Sequence, residues 1–163
     1  MSSRTLLTSV VALSFAFTLL PCAFAQMPNP YGPPISVEIA KKLARPAIAE
    51  AVKNHLTVAV AIVDPNGALM YYEKMDNTQL ASADAAIDKA RTSALYKRPS
   101  KALQDALAKG GDGLRVLALR GATAIEGGFP IVLDGKIVGA IGVSGDASAH
   151  DSQCAEAALA TLK

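Results

Sequence analysis

Apolar positions along the chain predict helices and strands in an interleaved order. From Val37 to Ala51 they recur about three or four residues apart, the spacing of one buried helix face. Ser36 lies where an N-cap is expected, because its hydroxyl can accept a hydrogen bond from the first helical turn. Pro46 lies inside this stretch and predicts a kink or break near Arg45, since proline cannot donate the helical hydrogen bond.

Three further segments are predicted to be helical. The first runs from Thr78 to Lys97, and a Pro-containing break separates it from a shorter helix between Ser100 and Ala108. The last is predicted from Ser148 to Leu162, where Ser148 and Asp151 have the spacing of a capping box with a short acidic partner.

Five short apolar runs predict strands. Thr57–Val63 is continuous and β-branched, which is typical of a strand buried on both faces. The turn Asp64–Gly67 follows it, and Asp134-Gly135 between two later apolar runs favours a type I′ hairpin. The predicted strands are 57–63, 68–74, 114–120, 131–133 and 137–143. Hairpins with helices between them favour an α+β fold in which helices cover one antiparallel sheet of five strands.

Residues 1–25 have the pattern of a cleaved secretory signal peptide. Arg4 provides the positive start, residues 6–20 form an apolar run, and Ala23-Phe24-Ala25 fits the small-x-small cleavage pattern before Gln26. A membrane anchor is disfavoured because the run is shorter than the roughly 20 residues that span a bilayer. We therefore expect a periplasmic or secreted protein that is not held in the membrane after cleavage.

The rest of the chain is expected to form an arm and one domain. Residues 26–35 hold four prolines and predict a flexible or extended arm, and residues 36–163 predict a single domain. The net charge is +2 at pH 7 and the sequence has no basic patch, so nucleic-acid binding is not expected. Loss of Cys22 with the signal peptide leaves Cys154 without an intramolecular partner, and we interpret it as a small buried residue of the last helix.

The two histidines are the candidate metal ligands. His55 and His150 lie far apart in the sequence, and neither belongs to a spaced zinc motif. His55 follows the first helix, where it can interact with the helix dipole. His150 lies in the first turn of the last helix, either as an exposed polar residue or as an axial ligand for haem iron or another metal.

The end of the last hairpin is the candidate ligand site. Its strand is rich in glycine, which lets a ligand or another backbone come close, and it ends at Ser144-Gly145 just before the last helix. Ser144 is not in a G-x-S-x-G elbow, and no hydrolase triad or other catalytic residue can be assigned. Thr92 and Lys89 lie three apart on one helix; the Thr92 hydroxyl can bond back to its own helix or face a ligand.

Several motifs resemble the GlcG/HbpS family, the haem-binding or "haem-degrading" domain. In order from residue 60 to residue 151 they are V-A-I-V-D-x-x-G, K-M-D, A-x-x-x-K-A-x-T, P-S, G-G-x-P, G-A-I-G-V-S-G and a late Asp. The resemblance implies a profilin-like α-β-α sandwich around a five-stranded antiparallel sheet, often assembled into homo-oligomers. It also implies haem as a cofactor in some members. His150 stands where the family usually has Gln.

The leading hypothesis is an exported protein that binds a small ligand, with haem or a related tetrapyrrole first. The candidate binding residues are His150, Ser144, Gly145, Thr92 and Lys89, with His150 and His55 as metal ligands. One alternative is an accessory enzyme of haem or small-molecule catabolism, less favoured because a catalytic constellation is missing. Another is a ligand-free oligomeric module that partners a sensor.

Overall fold

The structure is a computed structural model that describes residues 27–162; the predicted signal peptide, Gln26 and Lys163 lie outside the described residues. Its helices and strands follow the chain in this order: α1 (Val37–Lys53), β1 (Ala59–Val63), β2 (Leu69–Lys74), α2 (Ser82–Tyr96), α3 (Ser100–Ala108), a 3₁₀ helix (Gly111–Ala118), β3 (Gly128–Leu133), β4 (Lys136–Ser144) and α4 (Ser148–Leu159). Within the described part of the chain, no helix has the length and apolar character needed to cross a membrane.

The strands form one antiparallel sheet in the order β2-β1-β4-β3. The β-branched run predicted to be buried on both faces is β1, every residue of which is buried between β2 and β4. Ile62 shows the central register, since it pairs with Tyr71 on one side and Ile141 on the other. The expectation of an α+β fold with an antiparallel sheet is therefore confirmed.

The expectation of five strands is wrong, because the sheet of the described residues has four. The segment predicted as a strand at 114–120 is largely the 3₁₀ helix Gly111–Ala118, in which no residue is buried. Leu114 and Leu117 are exposed by 53% and 72%. Val116 is the one β-branched residue between 114 and 120, and the Leu and Ala around it favour helix over strand.

Both predicted turns are confirmed in conformation. Asp134 and Gly135 have φ of 48° and 72°, so both central positions are left-handed as a type I′ turn requires. At the other turn, one carboxylate oxygen of Asp64 accepts hydrogen bonds from the N–H groups of Asn66 and Ala68 at 2.8 and 2.9 Å. Local chemistry therefore sets both hairpins.

The two faces of the sheet carry side chains of different size. Large residues such as Ile62 and Ile141 pack against α1 and α4. On the other face, small residues of β1 and β4 pack against the alanines of α2. Period-two alternation within each strand separates the two sets. The sheet thus lies between two helical layers, with α2 on one face and α1 and α4 on the other.

Helix ends follow the predictions at α1 but not at α4. The Ser36 hydroxyl accepts from the Ile39 N–H at 3.3 Å, as expected of an N-cap. The helix continues through Pro46, so of the kink or break expected near Arg45 the break is wrong. The capping box at Ser148 is also wrong: the N-cap residue is Ala147, whose side chain has no acceptor, and the Asp151 carboxylate bonds Lys89 instead.

The proline-rich arm lies extended against β4. Strand β1 ends where Val63 pairs with Ala140, so the first residues of β4 extend beyond it. The arm occupies this place: Ile137 N donates to Pro30 O, and Gly32 N donates to Ile137 O, both at 2.8 Å. Peptide groups of β4 that β1 cannot reach are thereby bonded.

Candidate functional site

The motif residues Lys89 and Asp151 form a buried ion pair. Lys89 Nζ lies 2.7 Å from Asp151 Oδ2, and the two side chains are exposed by 2% and 1%. The ammonium also donates to the carbonyl oxygen of Val143 at 3.0 Å. Since α2 and α4 lie on opposite faces of the sheet, this pair joins the two helical layers at the end of β4.

Two glycines make room for the pair. A Cβ on Gly127, whose φ is +122°, would lie 3.0 Å from both Lys89 Nζ and Asp151 Cβ. A Cβ on Gly128 would lie 2.2 Å from the Lys89 carbonyl oxygen. A side chain at Gly127 would therefore crowd the ion pair itself, and one at Gly128 would push α2 away from the start of β3.

Asp151 connects the buried pair to the surface. Its second oxygen, Oδ1, accepts from the Asp146 N–H at 3.2 Å. The Asp146 carboxylate in turn accepts from the Ala147 N–H at 2.7 Å and lies 2.6 Å from His150 Nδ1. Lys89, Asp151, Asp146 and His150 therefore form one hydrogen-bonded chain from the core to an imidazole that is 52% exposed.

The two carboxyl groups of this chain have opposite pKa shifts. The hydrogen bond with His150, and then that from the Ala147 N–H, lowers the pKa of Asp146. Burial raises the pKa of Asp151, against the opposing effect of the Lys89 ammonium. Asp146 is therefore the group that holds its negative charge more firmly, and it faces the imidazole.

The other predicted binding residues are largely buried. The Thr92 hydroxyl donates to Asp88 O at 2.8 Å and accepts from the Thr123 N–H at 2.7 Å, so it joins α2 to the segment before β3. Ser144 is buried on the α2 side of β4. Gly145 packs against the chain before β1, where its Cβ would lie 2.1 Å from the Thr57 carbonyl oxygen. Gly145 at this junction therefore makes room for the neighbouring backbone at Thr57.

His55 and His150 lie at the same end of the layer formed by α1 and α4. The two helices run antiparallel, and Gln153 Nε2 donates to Glu50 Oε1 at 2.7 Å between them. His55 follows Glu50 toward this end and His150 precedes Gln153 toward the same end, and both are exposed. Among residues 27–162, no cluster of three or more His, Cys, Asp or Glu side chains could hold a metal ion.

Two cavities lie at the Lys136 end of β4, which the length of the strand places about 25 Å from its Ser144 end. One, of about 360 Å³, is bounded by the arm, the first turn of α1 and the second hairpin. The other, of about 330 Å³, lies between that hairpin and Leu162. Neither is lined by a residue that the sequence predicted for ligand binding.

Comparison with known proteins gives a consistent result. The family model described as "Haem degrading protein HbpS-like" matches residues 35–160. Protein GlcG of Escherichia coli strain K12 is 37% identical over 110 residues, which cover 68% of this chain and 81% of GlcG.

Solved structures share the fold. A crystal structure of HbpS has a TM-score of 0.74 and 31% identity, covering 81% of this chain and 92% of HbpS. A crystal structure of a PduOC–haem complex has a TM-score of 0.72 and 27% identity, covering 80% and 96% of the two chains.

The layered fold and the motif residues gathered at the end of β4 define a GlcG/HbpS-type domain. The chain belongs to the HbpS-like family. The resemblance seen in the sequence is thereby confirmed.

Asp146 is the residue of this site that the sequence did not single out. It precedes His150 by four positions at the start of a helix, a spacing that brings two side chains together. The four-residue spacing could have suggested a contact between Asp146 and His150. It was not sufficient, because Asp146 lies before the helix and its carboxylate could equally have faced solvent.

Proposed function

We propose that this protein binds haem or a related tetrapyrrole at the N-terminal end of α4, with His150 as axial ligand. The observation that carries the proposal is the contact between His150 Nδ1 and Asp146 Oδ1 at 2.6 Å. An ionised carboxylate can only accept a hydrogen bond, so Nδ1 carries a proton; whenever the ring is neutral, the lone pair is then on Nε2. Metal-ligating histidines are commonly oriented in this way.

The donor chemistry fits haem iron, for which imidazole is a common axial ligand. Half exposure of His150 would place such a ligand at the surface, outside the two cavities at the far end of β4. His55, at the same end of the α1–α4 layer, is the second imidazole within this region. The PduOC–haem complex, a relative with the same fold, supports a tetrapyrrole as the ligand class.

We further propose that the protein is exported and works as a homo-oligomer. The leader pattern of residues 1–25 supports export. A second copy packed over the His150 end would cover the exposed face of a surface-bound tetrapyrrole, which is the reason to expect assembly.

The test is an absorption titration with haemin on the wild type, His150→Ala and His55→Ala. Lys101→Ala is the matched control, because it breaks an exposed ion pair with Asp105 elsewhere on the surface. We expect a saturable Soret shift that His150→Ala abolishes or weakens by at least about tenfold, and that the control retains.

Other outcomes assign the function differently. A shift kept in His150→Ala and lost in His55→Ala would move the axial ligand to His55. No shift in the wild type would contradict haem binding. Steady conversion of haem to a bile pigment with an added reductant would show turnover and favour the enzyme hypothesis.

A further inference from the structure

We infer that the Asp151 side chain, buried beside Lys89, is a positioning element for the exposed His150. The consequence for haem rests on the proposed function, but the positioning itself is a property of the protein without ligand. The basis is the hydrogen-bonded chain in which each member is held by the one before it.

The first step fixes the Asp151 carboxylate. Lys89 Nζ bonds both Asp151 Oδ2 at 2.7 Å and Val143 O at 3.0 Å. Because Val143 belongs to β4, the carboxylate is held relative to the sheet as well as to α2. The pair is almost fully buried, so water does not compete for these bonds.

The second step fixes the Asp146 backbone. Asp151 Oδ1 accepts the Asp146 N–H at 3.2 Å, and within residues 27–162 this N–H bonds no other acceptor. Gly145 on one side is packed against the Thr57 carbonyl oxygen. The Asp151 oxygen therefore decides how the peptide of Asp146 is oriented.

The third step carries this orientation to the imidazole. With its peptide held, Asp146 directs Oδ1 to the Ala147 N–H at 2.7 Å and to His150 Nδ1 at 2.6 Å. The ring is then held in the Nδ1–H tautomer with Nε2 facing out. If the acceptor on Asp151 is lost, the Asp146 peptide can turn and the proton on Nδ1 is no longer held there.

Two double variants isolate the acceptor from the charge. Lys89→Met/Asp151→Asn removes both charges but keeps a side-chain oxygen for the Asp146 N–H. Lys89→Met/Asp151→Leu removes both charges and that oxygen. Neither double variant leaves an unpaired charge in the core, so both proteins are expected to fold. Thermal unfolding checks that they do.

The first readout is the tautomer of His150, measured by long-range ¹H–¹⁵N NMR on the haem-free protein at about pH 8, above the usual titration range of histidine. His55, the other histidine in the chain, bonds no carboxylate among residues 27–162 and is the internal reference. We expect Nδ1–H at His150 in the wild type and in the Asn variant. The Leu variant should shift toward the His55 pattern, as should Asp146→Ala, which leaves the buried pair intact.

The second readout is haemin affinity. We expect the Leu variant to bind haemin about tenfold more weakly than the wild type, and the Asn variant to bind more tightly than the Leu variant. An unchanged His150 tautomer in the Leu variant, or an Nε2–H tautomer in the wild type, would overturn the inference. The expected tautomers with no haemin binding in any protein would uphold the positioning role and overturn the proposed function instead.

Discussion

Gly142 of β4 lies directly against the backbone of α2 at Ala86. A Cβ on Gly142 would lie 2.1 Å from the Ala86 carbonyl oxygen and 2.6 Å from the Ala90 nitrogen. Backbone atoms cannot move aside as a flexible side chain can, so α2 as a whole would have to shift. Because Gly142 has no side chain, α2 can pack directly against β4, and Lys89 of α2 is then close enough to bond Asp151.

Gly142→Ala should therefore destabilise the protein by at least about 3 kcal/mol, the upper range for overpacking. Gly111→Ala is the matched control, because a Cβ there meets nothing within 4 Å and costs only a left-handed backbone at φ +51°. That cost is about 1–2 kcal/mol. Urea unfolding of the two variants measures the difference; equal losses would show that α2 can move away from the sheet.

Lys89→Met should destabilise the protein by about 3–5 kcal/mol, because it leaves the Asp151 carboxylate buried without its partner. The control is Lys101→Met, which breaks solvent-exposed ion pairs with Asp105 and Glu126 and should destabilise the protein far less, because water screens these charges. The free energies of unfolding come from denaturant titration. A loss at Lys89 as small as that at Lys101 would mean that water reaches Asp151 in the variant.

Cys154 should resist alkylation in the folded protein. The side chain is fully buried on α4, and burial is the main cause that raises the pKa of its thiol to about 11. At about pH 8, iodoacetamide should modify Cys154 only after unfolding in urea, since the thiolate is the reactive species. Rapid modification without urea would show that α4 opens readily.

The same pKa shift predicts alkaline destabilisation. Folding raises the pKa of the thiol from 9.0 to about 11, so the protonated thiol contributes fully to stability below about pH 9. This contribution is lost as the pH rises from about 9 through about 11, because the unfolded chain then releases its thiol proton first. Cys154→Ser, with a hydroxyl that does not ionise in this range, should lack this component when unfolding midpoints are compared at several pH values.

Asp64→Ala should cost about 2 kcal/mol, because two backbone N–H groups lose their acceptor in the first hairpin. Asp64→Asn keeps a side-chain oxygen at the same place and should recover most of the loss. Thermal unfolding of the two variants tests this. Similar melting temperatures for both would assign the effect to charge rather than to the turn.

Much of the local structure could be predicted from residues close together in the sequence. Asp134-Gly135 specifies its own turn because few residues adopt φ > 0 in succession. The β-branched run around Val60 reads as a buried strand by itself, and Ser36 caps α1 within one turn. The turn and the cap depend on interactions over a few residues, whereas the strand at Val60 also pairs with β4; all three are observed.

The segment around Leu117 marks the limit of that approach. An apolar run of strand length became an exposed 3₁₀ helix, because a strand also needs a neighbouring strand and a buried face. Neither requirement is visible in the run itself. The missing fifth strand follows from this one segment.

The sequence by itself therefore determined the order of the helices and hairpins and the family. It also identified Lys89, Asp151 and His150 as residues of the family motifs or as candidate ligands. Only the tertiary structure decided what Lys89, Asp151, Asp146 and His150 do together. Lys89 and Asp151 are 62 positions apart, and their charges are tolerable in the core only because the fold brings them to 2.7 Å. The tautomer that we infer for His150 is likewise set by a neighbour, Asp146, whose N–H bonds the Asp151 side chain.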